Sequence, residues 1–547
     1  MGIISGFDNG NESFSNDSAI ILVVKFLFVT PTILLVGYIV LSEISRFKGR
    51  IPNLPGPWGY PIVGSLPSLR DTITSDEYLK RATERYGDVF QVQLGNVTAV
   101  VVNTTAAARA FFVTQREATN SRPVTYVLHK QVQQNGPVTS IGTSPWDESC
   151  KRRRKVAATA LNKTSVETYF PILNLESRAL LSDFLRECKG GQATDVDVTP
   201  SCRKFSLNLS LTLAYGTRVE DVKDLHHDLL LSEIIYLEDE ISRLRDPTSN
   251  FYNYIPLLRT VNSVADFLGL RRTKAHLASI GKRRYAYHQV LQDKLRRDIA
   301  NHVDIPCIQG NVLKDPDSKG LTEGELLSVS MSMMAGAHTT KRSLIWACLL
   351  LAHRPDIQAK AFEAIQQADP ALLQASEVAH TKIPYIEALT KEVGRYFVVL
   401  RLALPKATHL DVEWHGATIP PKTLLFLNSW ACSRVFAAPH EFAPERWLDG
   451  DQPATNRHQY AFGIGGRMCV ASHVASKALY TVLLHLIAHF RFQPCESAED
   501  LFAATSQAAD PLEGLLVREN PSVEARARMV RLVPRDEDAL RAMLSLG

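Results

Sequence analysis

The stretch Phe462-Gly463-Ile464-Gly465-Gly466-Arg467-Met468-Cys469-Val470-Ala471 decides how this sequence is interpreted. It is a glycine-rich loop with a single cysteine, and a helical pattern follows over residues 472–490. The glycines let the backbone turn tightly and approach a flat, bulky group without Cβ clashes. A cysteine at the start of a helix meets free N–H groups and the positive end of the helix dipole, which favour the thiolate. The stretch therefore predicts a cysteine that binds a ligand.

The neighbouring cation indicates what that ligand is. Arg467 precedes Cys469 by two residues, and its guanidinium suits a carboxylate partner. A thiolate, a flat cofactor and a carboxylate together indicate haem, with the sulfur on the iron and a propionate on the arginine. The alternative is a glycine loop before a helix with a buried structural cysteine.

The same residues resemble the haem loop of the cytochrome P450 monooxygenases, Phe-x-x-Gly-x-Arg-x-Cys-x-Gly. Ala471 stands where the family has its last glycine. The resemblance implies haem b as the cofactor, with Cys469 as the axial iron ligand. It also implies that the loop residues around it bind the cofactor, namely Phe462, Gly463, Gly465 and Arg467.

Bulk properties exclude several classes of protein. The chain has 547 residues, of which 45% are hydrophobic and 22% charged, as in ordinary globular proteins. It contains no linker-like stretch or internal repeat, which favours a single catalytic domain. The net charge of +4 gives no support to nucleic-acid binding. Eight cysteines without a CxxC pair fit a reducing compartment.

The N-terminal region predicts a membrane anchor. Residues 20–41 carry a single charge, Lys25, and are long enough to cross a bilayer as a helix. The cations at 46, 48 and 50 place the following side in the cytoplasm. A cleaved signal peptide is the competing interpretation, but a basic start and a small-x-small cleavage site are missing. Asn11 and Asn16 begin sequons, so a luminal tail predicts a glycoprotein.

The proline-rich segment 54–64 resembles the hinge of microsomal cytochromes P450. We therefore expect a luminal tail at 1–18, an anchor at 19–42, a hinge at 43–64 and a haem-thiolate catalytic domain at 65–547. The resemblance implies a mostly α-helical fold with a small β region. It also implies a single-pass protein of the endoplasmic reticulum membrane, with its catalytic domain in the cytoplasm.

Periodicity and turn signals predict several elements. Residues 89–94 and 99–102 form a hairpin around Gly95-Asn96, and 106–112 form a short helix. Longer helices are expected at 229–244 and 257–270 and over 322–353, the last opened by a capping box of Thr322 and Glu325. A strand is expected at 398–405 and a turn at 510–515.

The middle of the 322–353 helix reads Ala335-Gly336-Ala337-His338-Thr339-Thr340 and resembles the family pattern Ala/Gly-Gly-x-Asp/Glu-Thr-Thr/Ser. The resemblance implies that Ala335 and Gly336 lie against haem and that Thr339 delivers protons. His338 replaces the acid, and a histidine can shuttle protons near neutral pH. The alternative is a histidine that is simply hydrogen-bonded in the interior.

Trp146 and the run 151–155 match the region in which the family holds the haem propionates. The family has an arginine four residues after the tryptophan, where this chain has Cys150. The residues expected to bind the propionates are then Trp146 and either Lys151 or a neighbouring arginine. The remaining cations of the run form a solvated face or meet an acidic partner.

Two further motifs imply a structural support for the cysteine loop. Glu392 and Arg395 lie three residues apart on one helical face. Downstream, the segment 442–447 resembles the family's Pro-Glu-Arg-Phe/Trp motif. The resemblance implies that Arg446 joins Glu392 and Arg395 in a buried cluster that braces the loop.

Segments 144–155 and 237–245 resemble the fungal phenylacetate-hydroxylase group within the family. This implies oxygen insertion with O2 and with electrons from NADPH–cytochrome P450 reductase, cytochrome b5 being a further candidate donor. The implied substrate is a small aromatic acid or phenol, or a larger polyketide or peptide-derived compound of secondary metabolism. In the family, the regions at 124–130, 229–260, 398–405 and 510–515 contact substrate. Two alternatives remain, namely an enzyme of this fold that rearranges or dehydrates its substrate, and a haem-binding protein without turnover.

Overall fold

The computed structural model describes residues 12–70, 83–134, 139–188, 193–220, 228–245, 250–448, 458–495, 516–517, 524–525 and 529–545. The α-helices, numbered α1–α19 in chain order, are Glu12–Lys48, Leu66–Arg70, Thr105–Arg109, Arg116–Thr119, Glu148–Ala160, Lys163–Glu167, Phe170–Glu187, Thr199–Tyr215, Leu229–Leu244, Pro256–Phe267, Thr273–Ala300, Ile308–Lys314, Glu323–Met334, Gly336–His353, Pro355–Ala368, Pro384–Phe397, Ser429–Cys432, Ser472–His489 and Glu537–Ser545. The strands, β1–β11, are Val89–Leu94, Val97–Val102, Thr194–Asp197, Lys406–Ala407, Val412–Trp414, Ala417–Ile419, Leu424–Leu427, Phe490–Gln493, Leu516–Val517, Glu524–Ala525 and Met529–Pro534. The fold is mostly α-helical with small sheets, as the sequence predicts.

The main sheet is built on the predicted hairpin. Strand β1 pairs antiparallel with β2 from Val89↔Val102 to Leu94↔Val97, and β7 and β4 extend the sheet in the order β1-β2-β7-β4. A second sheet has the order β3-β11-β8, and the pairs β5–β6 and β9–β10 stand apart. The predicted strand at 398–405 is wrong. Val398 ends α16 at a φ of 38° and Ala403 has a φ of 51°, so the backbone turns where a strand would have to be extended.

The helical core holds the elements that carry the site. Helix α8 is buried along nearly its whole length, and α14 and α18 are buried over most of theirs. The largest buried side chain of this core, Trp346 on α14, stacks on Phe397 at the end of α16, with ring centroids 4.7 Å apart. The cysteine loop is joined directly to α18 and is therefore anchored in the core.

The predicted helix at 322–353 is two helices that meet at Ala335. Its start agrees with the sequence, because the Glu325 N–H donates to Thr322 Oγ1 at 3.3 Å and the Thr322 N–H donates to Glu325 Oε2 at 2.9 Å. The predicted helix at 229–244 is α9 with identical ends, and the one at 257–270 is α10, which ends earlier, at Phe267. The predicted helix at 106–112 is α3 followed by a π-helical segment, Ala110–Thr114.

The N-terminal helix α1 is longer than predicted and contains Pro31. Its part Val29–Lys48 spans 20 residues with a mean hydropathy of 1.3, which is long and apolar enough to cross a membrane. At its end, Arg46 donates to the carbonyls of Tyr60 at 2.9 Å and Trp58 at 2.6 Å, which fixes the helix against the proline-rich segment. Asn16 lies within α1, whereas Asn11 and the predicted turn at 510–515 lie outside the described residues.

The support cluster is built around the Glu392 carboxylate on α16. Arg395 donates to both of its oxygens at 2.7 Å, and Arg446 donates to Oε1 at 3.1 Å. Trp447 Nε1 at 2.8 Å and the Ala443 N–H at 3.0 Å complete the shell. Glu392 is fully buried, and the two guanidiniums also hold carbonyls of the segment 433–441. The cluster thus fastens the chain that leads to the cysteine loop onto α16.

Replacing Glu392 by glutamine should lower the free energy of unfolding by about 3 to 5 kcal/mol, because two buried guanidiniums lose their counter-charge. Glu387→Gln, on the same helix, is the matched control, since Glu387 makes no side-chain hydrogen bond among the described residues. Denaturant unfolding of both variants measures the difference. A loss below 1 kcal/mol for Glu392→Gln would show that the cluster does not hold the fold.

Candidate active site

The cysteine loop is shaped by close backbone contacts. It contains a 3₁₀ turn, Gly465–Arg467, and the Cys469 N–H donates to the Phe462 carbonyl at 2.9 Å. Gly465 has a φ of +76°, and a Cβ there would lie 1.9 Å from the Phe112 carbonyl oxygen. Only glycine permits both that conformation and that approach. Gly463 has a φ of +75° in open space, so it serves the turn alone.

Cys469 is the only one of the eight cysteines whose side chain is exposed. Burial by the surrounding protein nevertheless raises the pKa of its thiol, while the Ala471 N–H and Arg154 lower it. A side chain that is accessible yet surrounded by protein faces an internal space rather than bulk solvent. The helix-start N–H predicted to favour the thiolate is present, but burial outweighs it. A bound metal would reverse that balance, because a coordinating thiol loses its proton.

Four cations lie around this loop, namely Arg122, Lys406 and Arg467, which are buried, and Arg154, which is half-buried. Burial lowers the pKa of each, and that of Arg467 falls to about 10. Among the described residues their hydrogen-bond acceptors are all backbone carbonyls. Arg467, for example, donates to Asn120 O at 2.8 Å and to Ile141 O and Ser144 O at 2.9 Å.

The other three cations bind the same region. Arg122 donates to Pro405 O at 2.8 Å and to Arg467 O at 3.4 Å, Arg154 to Met468 O at 3.3 Å, and Lys406 to Ile464 O at 3.2 Å. The Nε atoms of Arg122 and Arg467 are buried without a partner. Buried charge of one sign requires a counter-charge. The cluster therefore fits an anionic cofactor, and a haem with two propionates beside an accessible Cys469 meets that need.

Trp146 and Lys151 occupy different positions. The Trp146 ring lies 5.6 Å from the Arg467 guanidinium and 5.8 Å from Lys151 Nζ. Lys151 pairs with Glu148 at 2.6 Å, and its side chain is 44% exposed, so the structure does not bring it into the cation cluster. On the same helix, α5, Arg154 reaches the loop instead. Arg153 is buried against Thr139 and Ser328, and Arg152 pairs with Glu325 at 2.8 Å.

The segment around Ala335 is open. Residues 335–340 are half-buried within an otherwise buried pair of helices, and a Cβ on Gly336 would meet no atom within 4 Å. Thr339 Oγ1 donates to Gly336 O at 3.1 Å, which turns the hydroxyl back along the helix. Space beside a hydroxyl is what the sequence predicts for this segment.

His338 is paired with a carboxylate that the sequence analysis did not single out. Its Nδ1 lies 3.3 Å from Asp239 Oδ1 on α9, and the two side chains are 12% and 45% exposed, respectively. Burial lowers the pKa of His338 to about 4 although Asp239 opposes the shift, so the ring is neutral at neutral pH. Both residues line a cavity of about 30 Å³, which is large enough for one water. A carboxylate of the neighbouring helix α9 thus lies beside His338.

A larger cavity of about 610 Å³ lies beside the cation cluster. Its lining includes Val124 and Leu128, Leu244 and Tyr254, and Leu404. The predicted substrate-contacting regions at 124–130, 229–260 and 398–405 therefore meet at one space. Its volume is typical of pockets for small organic ligands.

Comparison with known proteins agrees with this geometry. The cytochrome P450 family model matches residues 54–516. Over 545 residues the chain is 37% identical to a 3-hydroxyphenylacetate 6-hydroxylase of Emericella nidulans, covering 97% of this chain and 98% of that one. It is 37% identical over 476 residues to a phenylacetate 2-hydroxylase of the same organism, covering 85% and 87%. It is 35% identical over 543 residues to a cytochrome P450 monooxygenase of Mycosarcoma maydis, covering 96% and 94%.

The family implies a haem cofactor, a redox partner, molecular oxygen and an organic substrate. The N-terminal apolar helix is a possible anchor of the kind found in microsomal members. The chain is a monooxygenase related to fungal aromatic hydroxylases, and it belongs to the cytochrome P450 family.

Proposed function

We propose that this chain is a haem-thiolate monooxygenase with haem b as its cofactor. Its substrate is a small aromatic or polyketide-type compound of fungal secondary metabolism, which it hydroxylates or otherwise oxidises. The observation that carries the proposal is an accessible Cys469 in a loop surrounded by buried cations that have no carboxylate partner among the described residues. Relatives named as hydroxylases of phenylacetate and 3-hydroxyphenylacetate support an aromatic substrate.

In this proposal the residues of the site have separate roles in holding the cofactor and leaving space beside it. Cys469 Sγ would bind the haem iron from a loop shaped by Phe462, Gly463 and Gly465, and the open segment at Ala335 and Gly336 would leave room for the cofactor. Arg467, Arg122, Arg154 and Lys406, with the Trp146 ring beside Arg467, would hold the propionates. When bound, a haem with a thiolate ligand activates molecular oxygen for insertion into the substrate. The protein orients the substrate, excludes water and supplies protons.

Cys469→Ala should abolish thiolate ligation, because no other cysteine of the chain is exposed. The reduced carbon monoxide complex of the wild type should show the red-shifted Soret band of a thiolate ligand, and the variant should lack it. Cys495→Ala, which removes a buried cysteine after β8, is the matched control and should keep the band. Retention of the band in Cys469→Ala would refute the assignment.

We assign the supply of protons to Asp239, His338 and Thr339. Asp239 is the exposed member and exchanges protons with solvent. His338 Nδ1 faces that carboxylate, so the neutral ring can accept a proton from Asp239 at Nδ1 and release one from Nε2 toward the reaction site. Thr339 Oγ1 presents the hydroxyl within the open segment. A relay needs both a hydroxyl at the reacting end and a group that solvent recharges.

Thr339→Ala should keep haem and substrate binding but release more hydrogen peroxide per NADPH consumed. His338→Ala and Asp239→Asn should slow turnover by about tenfold or more, the low end of general acid–base effects, and His338→Asp should retain much of it. Coupling of NADPH to product measures all four variants.

Glu240→Gln is the control for Asp239→Asn, because Glu240 pairs with Arg243 at the surface. If Thr339→Ala and His338→Ala couple electrons to product as well as the wild type, these residues only pack. Turnover without NADPH and O2 would instead favour a rearrangement reaction, which the replaced acid at His338 motivates.

The membrane arrangement has its own support. Side chains on α1 such as Leu34 and Leu41 are each 68% exposed, and Phe267 at the end of α10 is 89% exposed. The Leu257 N–H donates to Tyr38 Oη at 3.3 Å, which places α10 beside α1. Two neighbouring exposed apolar surfaces suit a lipid bilayer. We place the catalytic domain on the cytoplasmic face of the endoplasmic reticulum, where NADPH–cytochrome P450 reductase and cytochrome b5 can donate electrons.

Protease treatment of sealed microsomes should therefore remove the catalytic domain and leave a short anchored fragment. The basic residues after the anchor, Arg46 and Lys48, give the physical reason, because cytoplasmic flanks carry the excess positive charge. Detergent-opened microsomes are the control for protease access. Full protection of the catalytic domain in sealed vesicles would reverse the orientation.

A further inference from the structure

Among the described residues, the charged side chains that line the 610 Å³ cavity are all positive. Its lining is largely apolar, with Leu128, Pro145, Leu244 and Leu404 among the residues that face it. The described lining includes two arginines, Arg122 and Arg245, but no aspartate or glutamate. An apolar pocket with a few charged groups recognises ligands of the opposite charge. An arginine can bind such a ligand only where its guanidinium is not already hydrogen-bonded within the protein.

Arg122 is already engaged. Its guanidinium donates to the carbonyls of Leu404, Pro405 and Arg467, and it belongs to the cation cluster at the cysteine loop. Arg245, at the C-terminal end of α9, has no hydrogen-bond acceptor for its guanidinium among the described residues. Its Nε is buried without a partner. Burial, with Arg284 nearby, lowers the pKa of Arg245 to about 10, so the group still carries its charge at neutral pH.

Among the described residues, the carboxylate whose charge acts on Arg245 is Glu238, and its hydrogen bonds go to other side chains. Glu238 accepts two hydrogen bonds from Arg284, at 2.6 and 3.1 Å, and one from Tyr287 Oη at 2.6 Å. The charge and hydrogen bonds of Arg284, together with the charge of Arg245, lower the pKa of Glu238 to about 2 against the opposing effect of burial, so Glu238 stays ionised. Among the described residues, Glu238 thus makes its hydrogen bonds to Arg284 and Tyr287 and none to Arg245.

Two histidines line the cavity, the buried His129 and the exposed His409, and His129 adds no charge to it. His129 Nδ1 accepts from the Thr125 N–H at 3.0 Å, and Nε2 lies 3.2 Å from the Thr143 carbonyl. Burial and the charge of Arg245 lower the pKa of His129, which keeps the ring neutral. Lys422 also lines the cavity but is exposed, so water solvates its charge.

We propose that Arg245 binds the carboxylate of an aromatic acid substrate in this cavity, with the ring among the apolar side chains. The inference rests on the proposed function and names the substrate class of the same site. A guanidinium binds a carboxylate through two parallel hydrogen bonds, which gives both strength and orientation. Arg245 recognises the substrate rather than the cofactor, because the charged groups that act on it are Arg284 and Glu238 and not the cations of the loop.

The test compares phenylacetate with phenylacetamide, a neutral molecule of the same shape, in titrations of the haem-loaded enzyme followed by absorbance. The wild type should bind phenylacetate at least about tenfold more tightly. Arg245→Gln should raise the dissociation constant of phenylacetate by roughly 10- to 100-fold and change that of phenylacetamide less than about twofold. Arg243→Gln is the matched control, since Arg243 lies on the same helix, pairs with Glu240 and does not line the cavity.

Haem content and product formation separate the outcomes. Arg245→Gln should keep the wild-type haem content, and loss of haem would show that the residue serves the cofactor. Equal binding of acid and amide by the wild type, or equal weakening of both in Arg245→Gln, would overturn the inference even if an aromatic compound is oxygenated. If the acid binds through Arg245 but no aromatic compound is oxygenated, the proposed function fails and the carboxylate site stands.

Discussion

Charge buried inside a protein must be paired, and the Glu392 cluster shows that requirement met within the chain. One carboxylate with no exposed surface holds Arg395, Arg446 and the Trp447 indole, and it receives the Ala443 N–H as well. Breaking such a set leaves an uncompensated charge in a medium of low dielectric constant. Through these contacts the segment before the cysteine loop is fixed to α16, and the position of Cys469 depends on it.

The four cations at the cysteine loop and the single Arg245 in the cavity lack a carboxylate hydrogen-bond partner among the described residues. At the loop, Arg122, Arg154, Lys406 and Arg467 find carbonyl oxygens, which satisfy their N–H groups but carry no full charge. In the cavity, Arg245 has not even carbonyl partners among the described residues. By the same rule we propose that the loop cations and Arg245 bind anionic groups. Glu392 is hydrogen-bonded to both of its arginines, whereas no described carboxylate is hydrogen-bonded to the loop cations or to Arg245.

Local sequence patterns were enough to predict the hairpin β1–β2, helix α9 and the capping box of Thr322, because each is set by neighbouring residues. The cysteine loop and the Glu392 cluster were found through resemblance to a family. The strand expected at 398–405 failed because its apolar run follows a helix end at Val398, where a left-handed residue redirects the chain. A hydrophobic pattern does not reveal such a turn.

The charged partners of His338 and of the cysteine loop could not be predicted from the sequence, for a different reason. Asp239 lies about a hundred residues before His338, and Arg122 and Lys406 lie far from Cys469, so only the packing of helices and loops brings them together. The sequence contained only weak signals for these contacts. Asp239 and Arg245 belong to the segment 237–245, which resembles a hydroxylase group without stating what either residue contacts. Lys151 was favoured by its distance from Trp146, but the helix turns it toward Glu148 and solvent.

Helix α9 carries residues of both the proposed proton relay and the proposed carboxylate site. Asp239 faces His338 from its middle, Glu238 ties the helix to Arg284 on α11, and Arg245 extends from its end into the cavity. A rigid helix moves as one unit, so a displacement that repositions Arg245 also changes the 3.3 Å contact between Asp239 and His338. In the proposed function, substrate recognition and proton supply therefore both depend on the position of helix α9. The buried Glu238–Arg284 pair holds that element in place, since separating it would strand both charges in the interior.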